Sequence, residues 1–168
     1  MKKLILIRHA KSSWDDLGAR DFDRDLNSRG LHDAPEMGRR LAVKNIHPDA
    51  FLVSTANRAR ATASLIASEL GFPEQEIQFR DELYLASPAE ILKQIRQVPD
   101  QIQTLVVVAH NPGITELANR MARTYINNIP TSGVVMMQMP VEQWQHAGGR
   151  GAELLDFDYP KKPEKISD

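Results

Sequence analysis

Apolar residues come along this chain in short solid runs, separated by stretches where they recur every three or four positions. "KLILIR" (3–8) reads as a strand buried on both faces, and "AFLVS" (50–54) and "TLVVVAH" (104–110) repeat the pattern. Residues 28–46 carry Ala34, Met37, Leu41 and Ala42 at helical spacing, with Pro35 expected to kink that helix or mark its true start. Residues 57–70 place Ala61, Leu65, Ile66 and Leu70 on one helical face, and Gly71 is a natural stop. A short strand is expected near 77–79. "SPAE" opens a further helix, with Ser87 as cap, Pro88 at the first helical position and Glu90 closing a capping box. "NPG" gives a similar start, with Asn111 as cap and Pro112 leading a helix to about Arg123. "GVVMMQM" (133–139) and "AELLDFDY" (152–159) read as late strands, joined through a turn at "HAGGRG" (146–151) into an antiparallel hairpin.

Strands alternating with helices predict an α/β fold with a largely parallel central sheet and helices on both faces. At 168 residues a single domain is expected, spanning 1–160, with 161–168 as a polar tail.

Composition narrows the chemistry by exclusion. The chain has no cysteine, so neither disulfides nor thiolate sites are available. A net charge of −1 offers no bulk attraction to nucleic acid or to an anionic membrane. The N-terminal apolar run is too short for a signal peptide or a membrane span, and no later stretch reaches spanning length, so a cytoplasmic protein is expected. The five histidines show no pair at helical ligand spacing with a carboxylate, so no metal or other cofactor is expected. "DFDRD" (21–25) imitates a calcium loop, but its sixth position is Leu26 and its twelfth is His32, where glycine and glutamate are needed. A solvated loop at the rim of a cavity fits it better. Met136, Met137 and Met139 read as core and edge residues, and Trp14 could wall a pocket or simply pack.

In open parallel sheets, ligands bind beyond the carboxyl ends of the strands. The first strand ends on Arg8-His9, groups that are costly to bury. The second runs into "STANRARAT", with Arg58 and Arg60 in the next helical turn, Arg58 nearer the strand end. The third ends at His110, directly before a helix start. Arginines, histidines and helix N-termini converging on one edge form an anion site, because guanidinium forks and free N–H groups match phosphate oxygens. A histidine among such positive groups stays neutral and nucleophilic.

These segments resemble a known family. "LILIRHAKS" is similar to the N-terminal arginine-histidine-glycine signature of the histidine phosphatase superfamily, which includes the phosphoglycerate-mutase-like enzymes. "VSTANRARATA" resembles its second-arginine motif, "VVVAHNPGI" its second-histidine motif, and "DRDLNSRG" the segment leading into its first helix. The likeness runs from Lys3 to about Met121, and the short chain and "RHAKSSW" opening resemble the SixA-type phosphohistidine phosphatases most. It implies that residues 1–160 are a histidine phosphatase domain in which His9 takes the phosphoryl group. Arg8, Arg58 and His110 would bind the equatorial oxygens, with Ser12 near the phosphate. Ala10 replaces the usual glycine, which is tolerable if that position needs no positive φ.

Phosphomonoesterases of the family carry a glutamate acid after the second helix. Here the region reads "RDELYLASPAE", where Glu82 or Asp81 could serve, or Leu85 could take the acid's place. An alkoxide leaving group needs that proton, whereas a phosphoramidate leaves with less help. The expected activity is therefore a metal-independent phosphatase acting on phosphohistidine in a signalling or phosphotransfer protein. The alternatives are a small-molecule phosphomonoesterase using Glu82 or Asp81, a mutase, and a phosphate-binding module that does not turn over.

Overall fold

The computed structural model describes residues 1–149 and 151–162. Six strands make one mixed sheet: β1 (Lys2–Arg8), β2 (Ala50–Ser54), β3 (Gln78–Arg80), β4 (Thr104–Ala109), β5 (Val134–Met139) and β6 (Glu153–Asp158). Their spatial order is β3-β2-β4-β1-β5-β6. The first four strands are parallel, β5 runs antiparallel to β1, and β5 and β6 form the expected hairpin. The solid apolar runs belong to the central strands: Leu4 to Ile7 and Leu105 to Ala109 are fully buried.

Helices α1 (Ser28–Val43) and α2 (Asn57–Leu70) cover one face, and α3 (Pro88–Arg96) and α4 (Gly113–Ala122) the other. On the first side Ile5, Phe51, Val53 and Val106 meet Met37, Leu41, Ala63 and Ile66. On the second, Leu4, Leu6, Leu52 and Val107 meet Ile91, Ile95, Leu117 and Trp144. Alternation of strand side chains between faces feeds both cores, so neither face can turn polar.

Several local expectations need correction. α1 continues through Pro35, which therefore does not mark its start; Asn27 caps the helix by accepting from the Gly30 N–H at 2.9 Å. Ala42 is exposed. In α2 the sheet-facing residues are Ala59, Ala63, Ile66 and Ala67, while Ala61 and Leu65 turn toward Ala10, Leu26 and Ala34. Small residues on the sheet side let α2 lie close to it. Gly71 does stop α2, in the left-handed conformation at φ 68° that favours glycine. Ser87 caps α3 by accepting from the Glu90 N–H, but the Glu90 carboxylate accepts from Gln94 one turn on and leaves the box half made. Asn111 does not cap α4, which starts at Gly113. The Asn111 amide instead accepts from Thr115 and donates to Asn128 and the Ile129 carbonyl. Of the tail, Lys161 and Lys162 lie within the described residues and 163–168 outside them. Arg150, within the turn expected at 146–151, also lies outside them.

Candidate active site

Parallel pairing brings the ends of β1, β2 and β4 to one edge of the sheet. Arg8 lies opposite Ala109, so the next residues, His9 and His110, emerge side by side with ring centroids 5.1 Å apart. Both are buried, at 8% and 2% exposure. α2 begins just after β2 and turns Arg58, 2% exposed, toward the same point.

His9 holds its ring by one nitrogen. Nδ1 lies 2.8 Å from the Ala10 carbonyl, and Nε2 lies 3.4 Å from the Nε–H of Arg58. Both a carbonyl and a guanidinium have fixed roles, so Nδ1 carries the proton and Nε2 keeps its lone pair. Burial, and then the charges of Arg58, Arg8 and Arg24, push His9 down to about 4, against the opposing pull of the Ala10 carbonyl. Burial, with the neighbouring His9 and Arg58, pushes His110 to about 3. Both are neutral at pH 7, as an attacking imidazole must be. The Ala10 N–H donates to Thr62 Oγ1 at 2.8 Å, which ties the turn after β1 to α2. Ala10 is fully buried and needs no positive φ, so alanine is accommodated there.

Arg8 donates from Nη1 to the Ile129 carbonyl at 3.0 Å. Arg58 donates from Nη1 to the Asp21 carbonyl at 2.8 Å and from Nη2 to the Asp21 carboxylate at 3.0 Å. That carboxylate also accepts from Arg24 and from the Tyr84 hydroxyl. Burial works against its charge, but Tyr84, Arg58 and Arg24 outweigh burial and hold the Asp21 carboxyl down at about 2. Tyr84 stands edge-on to the His110 ring, 5.5 Å between centroids.

Three buried polar atoms have no hydrogen-bond partner among the described residues: Nε of Arg8, Nδ1 of His110 and Oγ of Ser132. Ser132 donates its backbone N–H to the carbonyls of Arg8 and His9, both at 3.1 Å. Orphaned polar groups are rare in native interiors. Two of the three are nitrogens of Arg8 and His110, residues of this site, and such nitrogens suit the oxygens of an anion. Next to them a cleft of about 460 Å³ is lined by Arg8, His9, Ser12, Trp14, Arg24 and Thr131, among others.

The profile of the Histidine phosphatase superfamily (branch 1) matches residues 4–84. An uncharacterized protein of Mycobacterium leprae (strain TN) is 32% identical over 169 residues, an alignment covering 92% of this chain and 100% of the relative. The chain belongs to the histidine phosphatase superfamily. It is accordingly a phosphatase with a histidine nucleophile. Solved structures that this histidine phosphatase resembles include the protein provisionally named phosphohistidine phosphatase SixA from Nakamurella multipartitia, with TM-score 0.84 and 26% identity over 96% of this chain and 97% of that one. A protein provisionally given the same name, from Agrobacterium tumefaciens, superposes with TM-score 0.79 and 28% identity over 95% and 99% of the two chains.

The structure brings Arg8, His9, Arg58 and His110 together. Ser12 lies in the cleft and accepts from Arg24 at 2.6 Å. Arg60 points away, donating to the Thr55 carbonyl and covering the Phe79 ring. Asp81 accepts from Thr55 at 2.6 Å and is exposed. Glu82 is exposed and makes no hydrogen bond to a residue of the site among those described. Leu85 is also exposed, at 57%. Trp14 is 71% exposed, walls the cleft, and is covered by the Arg24 guanidinium at 3.7 Å. Asp21, expected in a solvated rim loop, instead bonds Arg58, and Tyr84 and Ser132 carry no sequence signal that would mark them. "DFDRD" was the one visible signal for Asp21 and Arg24. No group of three or more histidine, aspartate or glutamate side chains among the described residues is placed to hold a metal. No helix among them is long and apolar enough to cross a membrane.

Proposed function

We propose that this protein is a metal-independent phosphohistidine phosphatase whose nucleophile is His9. The reading rests on the carboxylate next to the reacting groups. Asp21 is held at about 2 by its three donors, so at neutral pH it has no proton to give. Glu82, which the family resemblance offers as an acid, is exposed and bonded to no residue of the site. A site with two neutral histidines, two arginines and no poised acid suits a leaving group that needs no proton from the site. The imidazole of phosphohistidine is such a group: its far nitrogen takes a proton from water near neutral pH, as an ordinary imidazole does, so the ring leaves neutral without an acid in the site.

The chemistry balances. The lone pair on Nε2 of His9 attacks phosphorus in line; the new P–N bond forms as the bond to the substrate imidazole breaks, and its electron pair leaves with that neutral ring. The loose transition state spreads charge over three equatorial oxygens. Arg8, Arg58 and His110 donate to them, which is the main work such catalysis requires. Water then attacks phosphorus, the bond to His9 breaks, and inorganic phosphate departs. The provisional names of the two structural relatives agree with this substrate class, and a cleft walled by the 71% exposed Trp14 suits a phosphohistidine on the surface of a signalling or phosphotransfer protein.

The test is a screen of phosphohistidine peptide, phosphoramidate, an aryl phosphate and an alkyl phosphate without added metal. Turnover of the first two should lead, through an acid-labile phosphoenzyme. Preference for the alkyl ester would replace this reading with the small-ester phosphatase, and binding without turnover would leave only an anion-binding module.

A further inference from the structure

A neutral histidine can donate from only one of its two ring nitrogens. Phosphoryl oxygens offer nothing but lone pairs, so the nitrogen that meets them must be the protonated one. At His9 the Ala10 carbonyl decides which nitrogen that is. At His110 the decision falls to a residue with no role so far.

Ser54 ends β2 and is fully buried. β2 and β4 pair in parallel with Val53 opposite Val108, so Ser54 finishes its strand beside the turn that carries His110. Its Oγ lies 2.7 Å from His110 Nε2 and also accepts from the Ala56 N–H at 3.3 Å. The hydroxyl has a single proton. With Ala56 donating to its oxygen, the acceptor in reach for that proton, among the described residues, is Nε2 of His110. The reverse arrangement, Nε2–H donating to Ser54, would leave the serine proton with nowhere to go in a dry interior, at a cost of about 1–3 kcal/mol. It would also leave Nδ1 of His110 as a bare buried lone pair, and Nδ1 is one of the three unpartnered polar atoms beside the nucleophile.

We propose that Ser54 is a positioning residue: its hydroxyl donates to Nε2 of His110 and fixes the imidazole as the tautomer whose Nδ1–H is offered to the transferring phosphoryl group. Two neutral histidines then carry their protons on the same nitrogen with opposite results. At His9 that choice leaves Nε2 free to attack; at His110 it supplies a donor. The low proton affinity of His110 fits, since the ring must donate while uncharged. The catalytic half of this inference rests on the role given to His110 above; the tautomer itself does not.

The experiment has two readouts. Nitrogen-15 NMR of His110 in the native protein should find Nδ1 protonated and Nε2 bare. Ser54→Ala should erode that preference and lower kcat on phosphoramidate by about 10–100-fold with little change in KM, the scale set by losing the partner that orients a working histidine. Ser54→Thr, which keeps the hydroxyl, should restore both. A native His110 protonated on Nε2 overturns the proposal, and so does a Ser54→Ala variant that keeps wild-type kcat. Because the tautomer is read in the unaltered protein, the proposal stays exposed even if Ser54→Ala folds poorly. A fully active His110→Ala, by contrast, overturns the role of His110 and with it the catalytic half, whatever the tautomer.

Discussion

Arg58 aims its Nε–H at Nε2 of His9 from 3.4 Å, which makes the guanidinium both the witness and the restraint of the attacking lone pair. An arginine can only donate, so the nitrogen facing it cannot carry a proton. The two meet because β1 delivers His9 at its end while the first turn of α2 delivers Arg58. If His9 is the nucleophile, His9→Ala should abolish turnover and phosphoenzyme formation while circular dichroism stays native. Removing a buried ring from the strand end should also cost stability, by a few kcal/mol at most. Near-normal activity in a folded His9→Ala protein would move the nucleophile elsewhere.

Arg58 is itself held, by Asp21. The carboxylate and the backbone carbonyl of Asp21 take one N–H from each terminal nitrogen, leaving the others for phosphate. Asp21→Asn keeps the shape and removes the charge. A hydrogen bond to a charged group is worth about 1.5–3 kcal/mol, so kcat/KM should fall by about 10–100-fold. The variant should also make the site more cationic and raise affinity for inorganic phosphate. Unchanged kinetics would mean that Arg58 is positioned by its backbone alone.

How much of this could be read without coordinates differs residue by residue. Arg8, His9 and His110 were legible because each sits at the end of a solid apolar run, and Arg58 because it opens the helix that follows another; parallel strands place those ends on one edge. Asp21 and Tyr84 were not. Each lies in a short turn of one 3₁₀ helix or directly after one, where no periodicity distinguishes a residue that folds over the site from one that faces solvent. Ser54 was hidden for another reason: a serine closing a strand is ordinary until the register sets it beside His110. The misread start of α4 has a similar cause. Asn-Pro is a sound capping signal locally, but here the side chain of Asn111 is claimed by Thr115, Asn128 and Ile129.

The buried histidines make stability depend on pH. In the folded chain His9 titrates at about 4 and His110 at about 3, against 6.5 for a free histidine side chain. Below 6.5 the unfolded chain therefore binds protons that the folded chain refuses. Stability is fully present above that value and is lost as pH falls toward 4 and then 3, by up to about 1.4 kcal/mol per pH unit for each histidine. Asp21 adds to the loss only lower down, between 3.8 and about 2, because its folded value is also depressed. Urea unfolding at pH 7, 5.5 and 4.5 should show a steep decline that flattens in His110→Gln. A flat profile over that range would contradict the neutral pair.

The donors that meet at the site are nitrogens of arginine and histidine around an ionised aspartate already claimed by three partners, a set suited to an anion. Dialysis against a chelator should accordingly leave phosphoramidate turnover unchanged. Loss of activity that a divalent ion restores would require a different mechanism.

The leaving group decides between the two phosphatase readings, and Glu82 is where they part. It lies two residues before Tyr84, whose hydroxyl reaches into the site, yet its own side chain is exposed. If no acid operates, Glu82→Gln should barely change phosphoramidate hydrolysis, since glutamine keeps the size and removes only proton donation. The native protein should in addition be poor on alkyl phosphates, where a positioned acid is worth about 10²–10⁴-fold. Suppose instead that the native enzyme prefers a small alkyl phosphate and Glu82→Gln removes that activity while sparing phosphoramidate. Glu82 would then swing in with the substrate to protonate the alkoxide, and phosphohistidine would have to be given up as the substrate class. The two measurements must be made together, because a weak alkyl phosphatase that is insensitive to Glu82 and an efficient one that depends on it make opposite demands on the same side chain.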